Sequence, residues 1–214
     1  MMITLYGRKT SSNVQAVMWA LLELEVSFEQ IEVGGAFGGV DTPEYLAMNP
    51  NGKVPTITVA GEAIFESSAI LRYLGGQFGQ GAFWPQDPLA RAMVDKWAEW
   101  AKREGGDMFT GPIFWRVVRT PAARRDADAI KRAVDAFEDR MCIAEAQLAR
   151  TPYLAGTELS LADIVLGHVL YRYYDIDITR RAFPHLRAYY DRLTARPNYE
   201  KAVMVSYESL RDTA

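Results

Sequence analysis

Four residues near the N-terminus, Thr10-Ser11-Ser12-Asn13, place three hydroxyls and an amide just ahead of a helical pattern. Val14, Val17, Leu21 and Leu24 recur there at 3-4-3 spacing. The first turn of a helix leaves N–H groups unpaired, and the helix dipole favours an anion at that end. Ser11 or Ser12 can simply cap the helix. A hydroxyl, or the amide N–H of Asn13, can equally donate a hydrogen bond to a bound anion such as a thiolate. No cysteine stands at this junction, so such a thiol would have to arrive with a ligand. A second feature is the stretch Lys53-Val54-Pro55-Thr56-Ile57-Thr58-Val59. It reads as a buried strand, yet Pro55 cannot donate to a strand ladder, so it marks an edge or a strand's first residue, or it frees the backbone before it.

The elements that must hold these residues change character near residue 80. Residues 3–6 (ITLY) form a first strand, and residues 26–33 (VSFEQIEV) alternate apolar and polar side chains as a second strand. The glycine-rich residues 34–43 interrupt the pattern. KVPTITV, a turn at Gly61 and residues 62–65 (EAIF) predict an antiparallel hairpin. A helix follows, with Ile70, Leu71, Tyr73 and Leu74 on its apolar side, so that Glu66 ends a strand and Ser67 caps a helix. The order predicts a small sheet with helices packed against it.

Residues 75–88 hold the glycines and prolines of a connection, and beyond them only helices are predicted. Met93, Trp97 and Trp100 define one helical face. Ile130, Val134, Phe137, Met141, Ala144 and Leu148 repeat at 4-3-4-3-4 spacing, the signature of a long packed helix. Ser160 and Asp163 are spaced as a capping-box variant, Leu159 and Ile164 as a hydrophobic staple, and Pro184 opens a fourth helix. Cys142 falls within the long helix and is read as structural. The expected division is residues 1–78 as an α/β domain, 79–88 as linker and 89–214 as an all-α bundle.

Composition narrows the function classes. A net charge of −3 gives no basic footprint for nucleic acid, and no segment approaches a membrane span. One cysteine excludes an internal disulfide and fits a reducing, cytoplasmic setting. Two histidines and one cysteine leave little for a nitrogen- or sulfur-ligated metal, so no metal is expected.

A domain of this order with a proline opening its third strand resembles the thioredoxin fold, without that fold's usual cysteine pair. More closely, residues 5–13 (LYGRKTSSN), 49–57 (NPNGKVPTI) and 66–74 (ESSAILRYL), followed by helices that include SLADI (160–164), resemble the glutathione S-transferase family. The likeness spans nearly the whole chain and points to its bacterial, serine-type branch, theta- or nu-like. It implies a thioredoxin-like glutathione-binding domain plus an all-helical domain contributing the electrophile site. It implies that Ser11 donates to the glutathione sulfur, with Asn13 as the rival donor. By the same resemblance Ser67 and its N–H bind the γ-glutamyl carboxylate, Glu66 faces the γ-glutamyl ammonium, and Lys53 meets the glycyl carboxylate. A cis Val54–Pro55 bond would leave the Val54 N–H and C=O to pair with the cysteinyl backbone, so that glutathione docks like a short strand. Residues 34–41 offer no basic side chain for the glycyl end.

Phe109, Phe114 and Trp115 lie in a segment that reads as irregular, flanked by Gly111 and Pro112, and are the candidates for the electrophile pocket. The implied activity is conjugation of the glutathione thiolate to small electrophiles by a detoxifying homodimer. The alternatives are a glutathione-dependent peroxidase or disulfide reductase, and a non-catalytic binding protein of the same fold.

Overall fold

The computed structural model describes residues 2–213. Four strands, β1 (Ile3–Tyr6), β2 (Phe28–Ile31), β3 (Thr56–Val59) and β4 (Glu62–Phe65), form one sheet in the order β2-β1-β3-β4. β1 runs parallel to β2, and the β1–β3 and β3–β4 pairs are antiparallel. The parallel pair needs a crossover, supplied by α1 (Ser12–Glu23). The antiparallel pair needs only the turn at Ala60–Gly61, both at positive φ. β2 is half the length its alternation suggested, because pairing with β1 covers only residues 28–31.

Between β2 and β3 the chain adds α2 (Pro43–Met48), a short helix hidden in the sequence by its glycine-rich approach. After β4 comes α3 (Ser67–Phe78). The second half holds α4 (Pro88–Trp100), α5 (Ala127–Leu148), α6 (Leu161–Asp175), α7 (Pro184–Thr194) and α8 (Pro197–Val203). Pro at the first helical position opens α2, α4, α7 and α8, where its missing N–H costs nothing. The carboxylate of Asp163 accepts from the Ser160 N–H at 2.8 Å, the reciprocal half of the expected capping box, and also from Leu154 N and Tyr189 Oη.

Three expectations fail here. Residues 109–119 are not irregular: two π-helical stretches, Ala101–Asp107 and Thr110–Arg119, carry the helix onward from α4. At Gly105 a Cβ would come within 2.9 Å of Leu166, so glycine there serves close packing on α6. Met93 is 44% exposed, and the inward side of α4 is instead Val94 and Ala98, with Trp97 and Trp100 stacked edge-to-face at its margin. Cys142 is exposed on α5 and has no structural role in the core.

One continuous core joins both halves. Trp19 of α1 is fully buried and packs edge-on against Tyr199 of α8. Gly167 lets α6 approach it so closely that a Cβ would sit 2.7 Å from the Trp19 ring. Glu23 ties the other end of α1 to Arg196 at 2.6 Å. α1 is therefore clamped along its length, and its N-terminus is a fixed point.

Candidate functional site

The N-terminus of α1 opens into a cleft of about 320 Å³ between the sheet half and the helical half. Its walls are Arg8, residues 10–13, the Gly34–Gly35 turn, Gly52-Lys53-Val54, the second π-helical stretch and Arg172 of α6. Gly7, at φ 152°, makes the exit from β1, where a Cβ would clash with Val14 at 2.5 Å. Gln15 then holds the Lys9 carbonyl at 2.9 Å, and Arg172 donates to the Thr10 carbonyl at 2.7 Å. These bonds fix the turn that presents Ser11.

Ser11 occupies the N-cap position of α1 in extended geometry (φ −84°, ψ 122°), yet its side chain makes no capping bond. The simplest reading of that serine, a helix cap, is therefore not what its hydroxyl does. It lines the cleft beside the free N–H groups of the first turn. Asn13 lies within this first turn. Its Oδ1 accepts from Ser67 Oγ at 3.3 Å and from Lys102 Nζ at 3.4 Å. With the carbonyl oxygen occupied by two donors, the amide nitrogen is left as a donor.

Ser67 begins α3 and is buried, whereas Glu66 before it is exposed and held at φ 69°, ψ 117°. Such a backbone is strained for a residue with a side chain, and strain of this kind concentrates at ligand sites. The hydrogen bond between Asn13 and Ser67 brings the N-termini of α1 and α3 together, so two helix dipoles converge on one corner.

Opposite Ser11, the Val54–Pro55 bond is cis, and β3 starts only at Thr56. Among the described residues neither the N–H nor the C=O of Val54 has a hydrogen-bond partner. The preceding carbonyl is strongly held: Lys53 O accepts from Tyr45 Oη at 2.7 Å and from Asn49 Nδ2 at 2.8 Å. Asn49 is 2% exposed and also donates to Thr56, so NPNGKVPTI is a brace that fixes the Val54 backbone. Lys53 itself is exposed at the rim.

The aromatic candidates separate. Trp115 is 49% exposed and lines the cleft, and Phe114 lines its floor. Phe109 does not take part. It is 1% exposed and packs in the helical core against Phe137 and Tyr173 at 5.6 and 6.2 Å.

Sequence reasoning missed Arg8, Lys102, Arg119 and Arg172, each of which reads as an ordinary solvated cation. Arg172 is 3% exposed, with its guanidinium 4.5 Å above the Phe114 ring. Burial pulls it down to about 10, opposed by Tyr207 and aided by Arg8, and it stays cationic at neutral pH. Arg8 is lowered too, by burial and by repulsion from Arg119. The Gly34–Gly35 turn that had offered no basic residue instead makes room for one, since a Cβ on Gly35 would meet Arg8 Nε at 3.1 Å.

Family models for the N-terminal and C-terminal domains of glutathione S-transferases match residues 1–76 and 107–197. The chain belongs to the glutathione S-transferase family. It is 37% identical to glutathione S-transferase GstB of Escherichia coli over 95% of this chain and 99% of that one. Glutathione S-transferase 3 of Zea mays is 30% identical over 94% and 93% of the two chains. A theta-class glutathione S-transferase from Xanthomonas axonopodis pv. citri, solved with glutathione bound, superposes with a TM-score of 0.90 at 44% identity, covering 95% and 98%. The thioredoxin-like sheet domain followed by helices is the family architecture, and the chain is a glutathione transferase. Among the described residues no cluster of acidic, histidine or cysteine side chains could hold a metal ion, and no helix is long and apolar enough to cross a membrane.

Proposed function

We propose that the protein binds glutathione in this cleft, ionises its thiol at the N-terminus of α1, and transfers the sulfur to a small electrophile. The observation that carries the reading is the Ser11 hydroxyl, free of any capping bond at a helix N-terminus, facing an unpaired Val54 backbone. Those groups are what an extended peptide bearing a thiol needs.

The γ-glutamyl carboxylate goes to Ser67 and the N–H groups of α3, its ammonium to Glu66, and the cysteinyl backbone to Val54 beside Pro55. Lys53 takes the glycyl carboxylate at the rim. Ser11 donates to the sulfur, and the free amide of Asn13 is placed to donate as well. A free thiol titrates at about 8.5, and helix N-termini with cationic neighbours bring it to roughly 3.5–7.5. The proton leaves to solvent, the thiolate attacks the electrophilic carbon, a C–S bond forms, and the leaving group departs with its electron pair. Phe114 and Trp115 give the electrophile an apolar wall. Positioning both reactants in one cleft contributes the proximity part of the rate.

The division of labour follows: residues 1–78 bind glutathione, 79–88 link, and 89–214 shape the electrophile site. The exposed Leu89 and Met93 on α4 (69% and 44%) support a homodimer, and the family resemblance supports a cytoplasmic detoxifying role.

Glutathione titration followed by thiolate absorbance at neutral pH tests the reading in wild type, Ser11→Ala and Asn13→Ala. Absorbance that grows in wild type and is lost in one variant identifies the sulfur's donor. Absence of any thiolate signal in wild type would overturn the proposal.

A further inference from the structure

Three guanidiniums share the cleft with Ser11, and no carboxylate among the described residues lines it. Arg8 comes from the turn after β1, Arg119 from the second π-helical stretch, and Arg172 from α6. Among the described residues none of the three makes an ion pair: Arg119 is bonded to Thr213 Oγ1 at 3.1 Å and stacks 5.3 Å over Trp115, while Arg172 holds only backbone and amide oxygens. The nearby acids are engaged elsewhere, Asp175 with Tyr207 and Glu208 with Arg211. Two buried nitrogens, Arg8 Nε and Arg172 Nε, have no hydrogen-bond partner among the described residues. Burying like charges with unpaired donors is costly unless a ligand supplies the missing anion.

Position says which anion. If glutathione runs from Ser67 past Val54 to Lys53, its two carboxylates lie at the α3 N-terminus and the rim. Arg119 and Arg172 belong to the helical half, across the cleft, and Arg172 grips the carbonyl of the residue just before Ser11. They therefore surround the space in front of the sulfur, where the second substrate sits. That space is limited, because a cleft of about 320 Å³ is at the low end for ligand sites.

We propose that the second substrate is a small electrophile bearing a carboxylate, held by Arg8, Arg119 and Arg172 so that its reactive carbon meets the thiolate. The proposal rests on the transferase reading above. A planar guanidinium fork matches a carboxylate in two parallel hydrogen bonds, which fixes orientation as well as charge. The same cations favour the thiolate, so one cluster serves both reactants.

A matched pair of aryl chlorides tests this: 4-chloro-3,5-dinitrobenzoate and its methyl ester, each losing chloride as the C–S bond forms. At saturating glutathione, wild type is expected to show kcat/KM at least tenfold higher for the acid than for the ester, after correction for their uncatalysed rates. Arg119→Gln should lower that acid-to-ester ratio about tenfold, and Arg119→Lys should restore part of it. A wild-type ratio at or below one would overturn the proposal. So would an Arg119→Gln effect equal for both substrates with a raised KM for glutathione, which would assign the arginine to the glycyl carboxylate. Calorimetry with unreactive 3,5-dinitrobenzoate and its methyl ester reads the same selectivity without turnover. Acid-selective binding that Arg119→Gln abolishes supports the arginine cluster even if glutathione transfer fails, and its absence overturns the cluster alone.

Discussion

Ser67 Oγ donates to Asn13 Oδ1 at 3.3 Å, joining the first turns of two helices that lie 54 residues apart in sequence. Lys102 Nζ reaches the same oxygen from the helical half at 3.4 Å. One amide thus links the N-termini of α1 and α3 to the second domain. Lys102→Met should remove the cation nearest Asn13 and raise the pKa of bound glutathione. The expected outcome is a rightward shift of the kcat/KM–pH profile by about one unit, with activity reduced about tenfold below the wild-type pKa and recovered above it. An unshifted profile with uniformly lower activity would mean that Lys102 only props the domain contact.

The brace behind Val54 is the second target. Asn49→Ala removes the donor to Lys53 O and Thr56 Oγ1 and leaves buried acceptors less satisfied. A loss of about 1–3 kcal/mol in unfolding free energy is expected. The KM for glutathione should rise more than kcat falls, because a loosened Val54 backbone weakens docking without touching the sulfur. Denaturant unfolding and steady-state kinetics on the same preparation check both.

Gly167→Ala probes the contact that fixes α1. A Cβ would sit 2.7 Å from the Trp19 ring and 2.8 Å from Leu193, both fully buried. Neither neighbour has room to retreat, so destabilisation of about 1–3 kcal/mol is expected from overpacking. Tryptophan fluorescence during denaturation reports it directly.

His168 makes stability depend on pH. It is 3% exposed, with Nδ1 3.2 Å from the Ile164 carbonyl, and burial pushes its pKa down to about 3, with Lys102 adding to the effect. Between about 6.5 and 3 the unfolded chain takes up this proton and the folded chain does not. Stability should therefore fall as pH drops through that window, by about 1.4 kcal/mol per unit from this group. Neighbouring Asp163 has its carboxyl raised by burial and acts in the opposite sense, but it is common to wild type and His168→Gln. The difference between the two proteins, measured by denaturation at pH 7 and pH 5, should shrink at the lower pH. A constant difference would show that His168 is not neutral in the fold.

Much of this protein is readable from local pattern. The 3-4-3 spacing in α1 and the 4-3-4-3-4 spacing in α5 announce helices because a buried stripe must repeat with the helical turn. Pro55 at the head of β3 and Ser160 with Asp163 at the head of α6 are backbone instructions that act within a few residues. Where a residue acts through distant packing, pattern misleads. Gly111 and Pro112 flank a segment that reads as irregular, yet the chain there stays helical through Arg119. Phe109 and Phe114 look equivalent in sequence, and only the packed structure sets one against Phe137 and Tyr173 in the core and the other at the cleft.

The sequence by itself determined the family, the order of strands and helices, and a serine and an asparagine at a helix N-terminus, because each is written in short-range spacing. Only the tertiary structure decided that the Ser11 hydroxyl is spared from capping. It also decided that Lys102 holds Asn13, and that Arg8, Arg119 and Arg172 meet around one cleft. The reason is physical. A long cationic side chain looks the same on any helix, and its burial, partners and repulsion from other cations exist only once segments more than a hundred residues apart are packed together.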